Sequence, residues 1–568
     1  MHPRWFASLC VAPRANGPAI HLSSRLASPA PRRSRCSGGF VHGLLAALLA
    51  TPATAAAQGL SDEQLEPLVE RVEAGVLERA KLAQVMVDKI FSFSELGQQE
   101  IETSAYITGI LEENGFTIEH APVGIPTAWF ARWGSGEPVI SFGSDIDGIP
   151  KANQKPGVAY HDPLVPGAPG HGEGHNSGQA VNVVAALALK GVMEAEGIQG
   201  TLVLWPGVAE EQLGSKAWYV RDGYMEDIDV TLFTHVSSNL SVSWGQGGGT
   251  GLVSVEFTFE GEAAHGAGSP WRGRSALDAV ELMNVAWNFR REHLHPNQRS
   301  HYVISDGGDQ PNVVPPSASV WYFIREMDYE DIKRNFDTAI RIAEGAAMMT
   351  DTEMSYRIIG AAWPRHFNRV VAETMYEHIQ DVGLPEWTDD DHDFASAVQQ
   401  SVGSVPSGMP TSLSRLGTPG PRRSGGSDDI GDISWNVPTV TLRFPSNVPG
   451  LPGHHWSSAM AMATPIAHKG AVAGARVLAR TALQLFAQPE LVEEAWTYFR
   501  EEQSAGVEYI PFIGPDDPPP IDLNREIMDM YRPLLKQFYY DETRFETYLE
   551  QLGIKYPTLT RPISEDDG

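Results

Sequence analysis

Cysteine is almost missing from this sequence of 568 residues, which has only Cys10 and Cys36. Both fall in an N-terminal stretch that reads as a leader, so the mature chain has none. It forms no disulfide, and no thiolate serves it as nucleophile or metal ligand. Acidic residues are absent from the first sixty positions, which are rich in Arg, Ala, Ser and Pro. There Arg32, Arg33 and Arg35 precede an apolar run from Phe40 to Ala50, and Ala55-x-Ala57 precedes Gln58. This pattern predicts a signal peptide cleaved after Ala57 and a secreted or periplasmic protein. Long hydrophobic runs are lacking too: Phe40 to Ala50 is too short to cross a bilayer, so no membrane span is expected. Cys36 has no apolar residue three places before it, which argues against a lipid anchor.

Basic charge is scarce. Lys and Arg number 42 against 71 Asp and Glu, a net charge of -29. Removing the six leader arginines leaves 36 basic residues and a mature charge of -35. Phosphate binding needs a basic face, so this charge argues against nucleic acid as a partner and reads as solubility. No Gly-x-Ser-x-Gly elbow occurs, which weakens a serine-hydrolase reading. The glycines from Gly245 to Gly251 lack the Lys-Ser/Thr of a phosphate loop. Asp389 to Asp393 has Phe394 where a calcium loop needs glycine, and reads as a solvated turn.

Against these absences stands the stretch Gly170 to Gly178, Gly-His-Gly-Glu-Gly-His-Asn-Ser-Gly. Imidazole and carboxylate together suit a divalent cation, and interleaved glycines let side chains converge. The spacing of His171 and His175 matches a helical zinc protease, but Glu173 is misplaced for one and the glycines forbid a firm helix. Apolar residues at helical spacing from Leu65 to Ile90, after Ser61-Asp62-Glu63-Gln64, predict an N-terminal helical region. Further helices are predicted over Ile101–Asn114 and Ser177–Glu196. Strands are predicted at Val139–Phe142, Thr201–Trp205 and Asp229–Phe233. This rhythm predicts an α/β fold with a largely parallel sheet, whose ligands lie beyond the carboxyl ends of the strands. Asp147, Glu210, Glu211 and His235 all map to those ends.

From about Gly248 a β-α-β-β-α-β order predicts a split-βαβ insert. The domain reading is a leader over 1–57, a catalytic domain over 58–245 and 363–489, and an insert over 246–362. Residues 490–568 form a C-terminal extension, with Asp516 to Pro520 as a linker. The expected ligands for two metal ions are Glu173, His175, Glu211, His235 and one of His454 or His455. Neighbours in extended or loop backbone point apart, so Glu210 can face the attacking water as general base while Glu211 binds metal.

The motifs Asp-x-Asp-Gly-Ile-Pro, His-Gly-x-Gly-His-Asn, Glu-Glu, Phe-x-His-Val, Glu-Ala-Ala-His and Pro-Asn-Val-Val-Pro follow one another in this chain. In that order they resemble the aminoacylase and hippurate-hydrolase family of dinuclear metallopeptidases. Gly426 to Trp435 and Ile466 to Gly470 look most like its p-aminobenzoyl-glutamate hydrolase branch, in the B-type chain of that enzyme. The resemblance spans about Leu60 to Pro489. It implies a zinc-exopeptidase-like catalytic domain with a ferredoxin-like dimerisation (lid) insert, hence a homodimer. It also implies an amidohydrolase acting on an N-acyl or N-aroyl amino acid with two divalent ions, Zn or Mn. Carried over by motif, Glu210 is the general base, Glu211, His175, His235 and His454 are metal ligands, and His265 and Asn312 face the active site of the partner subunit, assisted by Arg325. The branch normally has Cys where Glu173 stands. Glu173 is expected to bridge the metals through oxygen; the competing reading is a weakened or inactive binding protein on the same fold.

Overall fold

The apolar periodicity that begins after Ser61 folds as two helices, α1 (Asp62–Glu78) and α2 (Ala80–Phe93), which meet at Arg79. This computed structural model describes residues 59–420 and 425–561, so the predicted leader and both cysteines lie outside the described residues. The Ser61 N–H donates to the Gln64 side chain at 3.0 Å, one half of the capping box read from the sequence. α3 (Ile101–Glu113) follows, then a hairpin that the sequence reading did not include, β1 (Thr117–His120) and β2 (Trp129–Ser135). β3 (Val139–Asp145), α4 (Gly178–Glu196), β4 (Gly200–Gly207), α5 (Lys216–Arg221) and β5 (Val230–Ser237) come next. Far later, β10 (Thr439–Pro445) completes a six-stranded sheet of order β1-β2-β4-β3-β5-β10. β4, β3, β5 and β10 are mutually parallel, and the hairpin is its antiparallel edge. The near-continuous burial of β3, β4 and β5 is what a sheet covered by helices requires.

A second sheet is formed by β6 (Gly251–Glu260), β7 (Arg299–Asp306), β8 (Ser317–Glu326) and β9 (Glu353–Ala362). Its order is β7-β8-β6-β9, antiparallel throughout, with α6 (Ala276–Arg291) and α7 (Tyr329–Thr350) as crossovers. The period-two pattern explains the packing. Val253, Val255, Phe257 and Phe259 of β6, with Val320, Tyr322 and Ile324 of β8, are buried in one core with residues of α6 and α7. The intervening residues of β8, Trp321, Phe323 and Arg325, belong to the opposite, helix-free face.

The remaining helices are α8 (Arg369–Val382), α9 (Asp389–Ser401), α10 (Ile430–Ser434), α11 (Trp456–Ala459), α12 (Pro465–Ala487), α13 (Pro489–Tyr498), α14 (Arg525–Leu535) and α15 (Tyr548–Gln551). The acidic run at Asp389 is not a solvated turn. It is the first turn of α9, where carboxylates favour the helix dipole and Thr388 and Asp391 cap each other. Asp391 is buried, held by Lys469 at 2.7 Å and the Tyr556 hydroxyl at 2.9 Å.

Residues after α13 form a strap. Tyr509 donates to Asp432 at 2.7 Å, and Phe512 and Ile513 enter the core of the second sheet. The stretch expected to be a linker is fastened, because the Asp517 carbonyl accepts from Trp218 at 2.9 Å and Arg221 at 2.7 Å. Asp522 then pairs with Arg357 of β9, Arg532 with buried Glu95, and Thr558 bridges to Val158.

Candidate metal centre

The carboxyl ends of the parallel strands bring the site together. β3 ends at Asp145, and the turn beyond it presents Asp147. The glycine-histidine loop returns to this turn through Ile149 and Gly170, whose backbones pair at 3.0 and 3.1 Å. Gly174 takes φ +97°, and a side chain there would strike Met462 and Val236, so only glycine lets the chain deliver His175. After β4, Ala209 in left-handed backbone (φ 52°) starts a single 3-10 turn over Glu210–Gln212. Glu210 and Glu211 therefore stand as neighbours on a tight turn, the loop alternative of the sequence reading. β5 runs on past its expected end and carries His235, directly opposite Arg443 of β10.

His175 Nδ1 lies 3.2 Å from Asp147 Oδ1, and the other oxygen of Asp147 accepts the Glu211 N–H at 3.1 Å. His175 Nε2 is 4.0 Å from Glu210 Oε2, and the His175 and His235 rings meet edge to face at 5.3 Å. His454 Nε2 is 3.3 Å from Glu211 and 3.9 Å from Glu173. His454 takes left-handed backbone at φ 50°, an unfavourable conformation for a histidine. His455 turns away: its ring caps α11 and packs on Trp456 at 4.7 Å. The structure thus brings Glu173, His175, Glu210, Glu211, His235 and His454 together.

His265 and Asn312 are not in this cluster. They are neighbours on the insert, joined by a Gly266 N–H to Asn312 carbonyl bond of 2.8 Å, and neither is buried. His171, for its part, is a core residue with Nε2 3.1 Å from the Ile90 carbonyl, and burial pushes its pKa down to about 3.

The electrostatics of the cluster favour a bound cation. Burial drives Glu210 and Glu211 well above the usual carboxylate range, with Asp145 and neighbouring acids adding to it. Burial opposes charge on His175, yet Asp147, Asp145 and Glu211 outweigh it and hold the ring at about 10. Burial and then Arg443, whose Nη1 is 2.7 Å from His235 Nδ1, keep His235 well below its ordinary value. His175 Nε2 and Glu211 Oε1 are buried without any hydrogen-bond partner. An orphaned imidazole nitrogen and an orphaned carboxylate oxygen in one pocket are donors fitted to a divalent ion. Groups close enough to hold one include Asp145, His175 and His235, and also His175, Glu210 and Glu211.

The sequence reading missed three parts of this site. Lys216 is wholly buried, with Nζ 2.6 Å from Asp145, in short contact with Asp429 and 3.7 Å from Asp428. Arg443 is set by strand register, which no local motif encodes. Arg365, just after the chain leaves the insert, lines the cleft. That cleft, about 320 Å³, also takes in Leu213, Phe323, Arg325, Ser427 and Asp428.

Residues 248–347 match the family model of the peptidase dimerisation domain. The chain is 32% identical to the B-type chain of p-aminobenzoyl-glutamate hydrolase from Escherichia coli over 447 residues, covering 72% of this chain and 90% of that protein. It is 26% identical to mouse Xaa-Arg dipeptidase over 446 residues, covering 76% and 92%. A solved chain from methicillin-resistant Staphylococcus aureus, 18% identical, shares the fold at a TM-score of 0.50 over 74% of this chain and 99% of that one. The carboxyl-end cluster, the inserted sheet and this identity over most of both chains agree: the protein is a hydrolase of the M20 metallopeptidase and amidohydrolase family, to which the p-aminobenzoyl-glutamate hydrolase relative also belongs.

Proposed function

We propose that this chain is an exported amidohydrolase that cleaves the amide between an acyl or aroyl group and an amino acid. The observation that carries the reading is the pair of orphaned donors, His175 Nε2 and Glu211 Oε1, beside the Glu210 carboxylate. Glu173, His175, Glu211, His235 and His454 would hold two divalent ions, zinc or manganese, through nitrogen and oxygen alone. Such ions, when bound, lower the pKa of water and polarise the scissile carbonyl. Glu210 takes the water's proton and hands it to the departing amine. Asp147 fixes the His175 ring and, through the Glu211 N–H, the turn that carries both glutamates.

The other wall of the cleft is cationic. Arg325 donates to Ser427 Oγ at 2.8 Å, Arg365 to the Gly248 carbonyl at 3.0 Å, and Arg443 faces His235. The hydrogen-bond partner of each guanidinium is neutral, but Arg365 and Arg443 also share the field of buried Asp428, so Arg325 offers the charge best placed for a substrate carboxylate. A homodimer through the insert would carry His265 and Asn312 to the cleft of the partner subunit. In support, the edge strand β7 exposes Val303 and Ile304, and α6 exposes Val285 and Phe289. Export rests on the basic, apolar, Ala-x-Ala leader.

The test is hydrolysis of a panel of N-acyl and N-aroyl amino acids, p-aminobenzoyl-glutamate among them, with and without chelator. Glu210→Gln is expected to retain metal and fold while kcat falls about 10²–10⁴-fold. Full turnover in that variant would refute the role.

A further inference from the structure

The catalytic cleft does not end at Arg325. Phe323, two residues back along β8, lines it as well, and also lines a second groove of about 240 Å³ with His301, Tyr302, Val303 and Trp321. The register explains the continuity. Across β7 and β8, Arg299 pairs with Arg325, His301 with Phe323 and Val303 with Trp321. These pairs share the helix-free face, so they form a ladder that leads from a cationic rung to an aromatic rung to an apolar one. Trp321 is fixed by its indole N–H, which donates to Ser254 Oγ at 2.8 Å, so its ring is a rigid wall. Val303 opposite it is 59% exposed.

We infer that this ladder is the subsite for the amino-acid side chain of the conjugate, and that it selects large apolar or aromatic side chains. The inference rests on the amidohydrolase reading above. Its geometry decides which half of the substrate goes where. The scissile carbonyl belongs at the metal cluster, and the carboxylate of the amino-acid half belongs at Arg325, whose Nε is buried without a partner. Whatever lies farther out along β8 is then attached to the amino-acid half, because the acyl half leaves the carbonyl in the other direction. The Arg325 guanidinium carbon lies 5.2 Å from the centre of the Phe323 ring, and the Phe323 and Trp321 rings meet edge to face at 5.9 Å, so an aromatic side chain anchored at Arg325 lies over Phe323 and meets the near edge of the Trp321 ring. Among the described residues, the side chains on this face of the groove are aromatic or apolar apart from the His301 ring, so an acidic side chain finds no cation beyond Arg325 to offset its lost hydration.

The experiment compares metal-loaded wild type with Trp321→Ala on N-acetyl-phenylalanine, N-acetyl-alanine and N-benzoyl-alanine. Trp321→Ala is expected to lower kcat/KM for N-acetyl-phenylalanine about tenfold, mainly through KM, and to leave both alanine conjugates within twofold. Trp321→Phe, which keeps an aromatic wall, is expected to recover most of that loss. Equal losses on all three substrates overturn the subsite, and so does a loss that follows the benzoyl group. A change confined to oligomeric state by light scattering, with selectivity intact, overturns it as well. If wild type hydrolyses no conjugate, the amidohydrolase reading fails by itself. Tryptophan-fluorescence titration with N-acetyl-phenylalanine and N-acetyl-alanine then reads the groove directly. Preference for the aromatic ligand, lost in Trp321→Ala, supports it, and absence of preference overturns it.

Discussion

Lys216→Met is the most discriminating perturbation of the site's foundations. The ammonium is wholly buried, contacts Asp145 and Asp429, and lies 3.7 Å from Asp428. Burial works against its charge, and the three carboxylates more than compensate, so Lys216 stays protonated. Methionine fills the volume and leaves buried carboxylates without a counter-ion, a loss of about 3–5 kcal/mol. The pH dependence follows from the carboxylates. Burial already raises Asp145 to about 6 and Asp429 to about 7, with Lys216 opposing it. A carboxyl raised above its unfolded value contributes stability below that unfolded value and loses it as pH rises through the folded one. Without Lys216 both groups rise further. The variant is therefore expected to lose most at about pH 8 and distinctly less at about pH 5.5. Urea unfolding followed by circular dichroism at both pH values measures this, and Lys216→Met/Asp429→Asn should recover part of the loss. A loss under about 1 kcal/mol, or one equal at both pH values, would refute the counter-ion argument.

Three further outcomes are expected. Glu173→Ala should lower the metal bound per protomer from about two, read by plasma emission spectrometry, if its carboxylate bridges the ions; full occupancy would end that idea. Burial holds Asp432 up at about 7, so its contribution to stability is lost as pH rises through that value, and Asp432→Asn should flatten the decline between about pH 6 and pH 8 in thermal melts. On the proposed dimer, Ile304→Asp on the exposed edge strand should shift light scattering towards monomer and, if His265 and Asn312 serve the neighbouring cleft, lower kcat at least about tenfold; an unchanged kcat in a monomeric variant would refute that role.

What the sequence revealed and what it hid divide along physical lines. Gly174, His175, Glu210 and Glu211 are local: glycines, donors and a tight turn lie within a few residues, so the cluster was legible. The β6-to-β9 order was legible because β6 and β8 carry an alternating or half-buried apolar pattern and the helices between the strands are amphipathic. Arg443 was not, because its place beside His235 comes from a register between strands far apart in the chain. Lys216 was hidden because a lone lysine near an α-helix reads as a surface charge until three aspartates are folded onto it. The Asp389 run misled because Asp391 looks solvated until Lys469 and Tyr556 arrive to bury it. The hairpin Thr117–Ser135 and the strap after α13 carry no chemistry-bearing motif, and their roles emerge only from contacts.

The strap has a consequence for biosynthesis. Val158, in the excursion that precedes the glycine-histidine loop, is bridged by Thr558, and Asp391 is held by Tyr556. Glu95, whose carbonyl accepts from Gly148 beside the Asp147 turn, is paired with Arg532. A nascent chain thus lacks the clasps behind its glycine-histidine loop until translation has passed these residues, so the last part of the chain to be made is what fastens the first part of the candidate site.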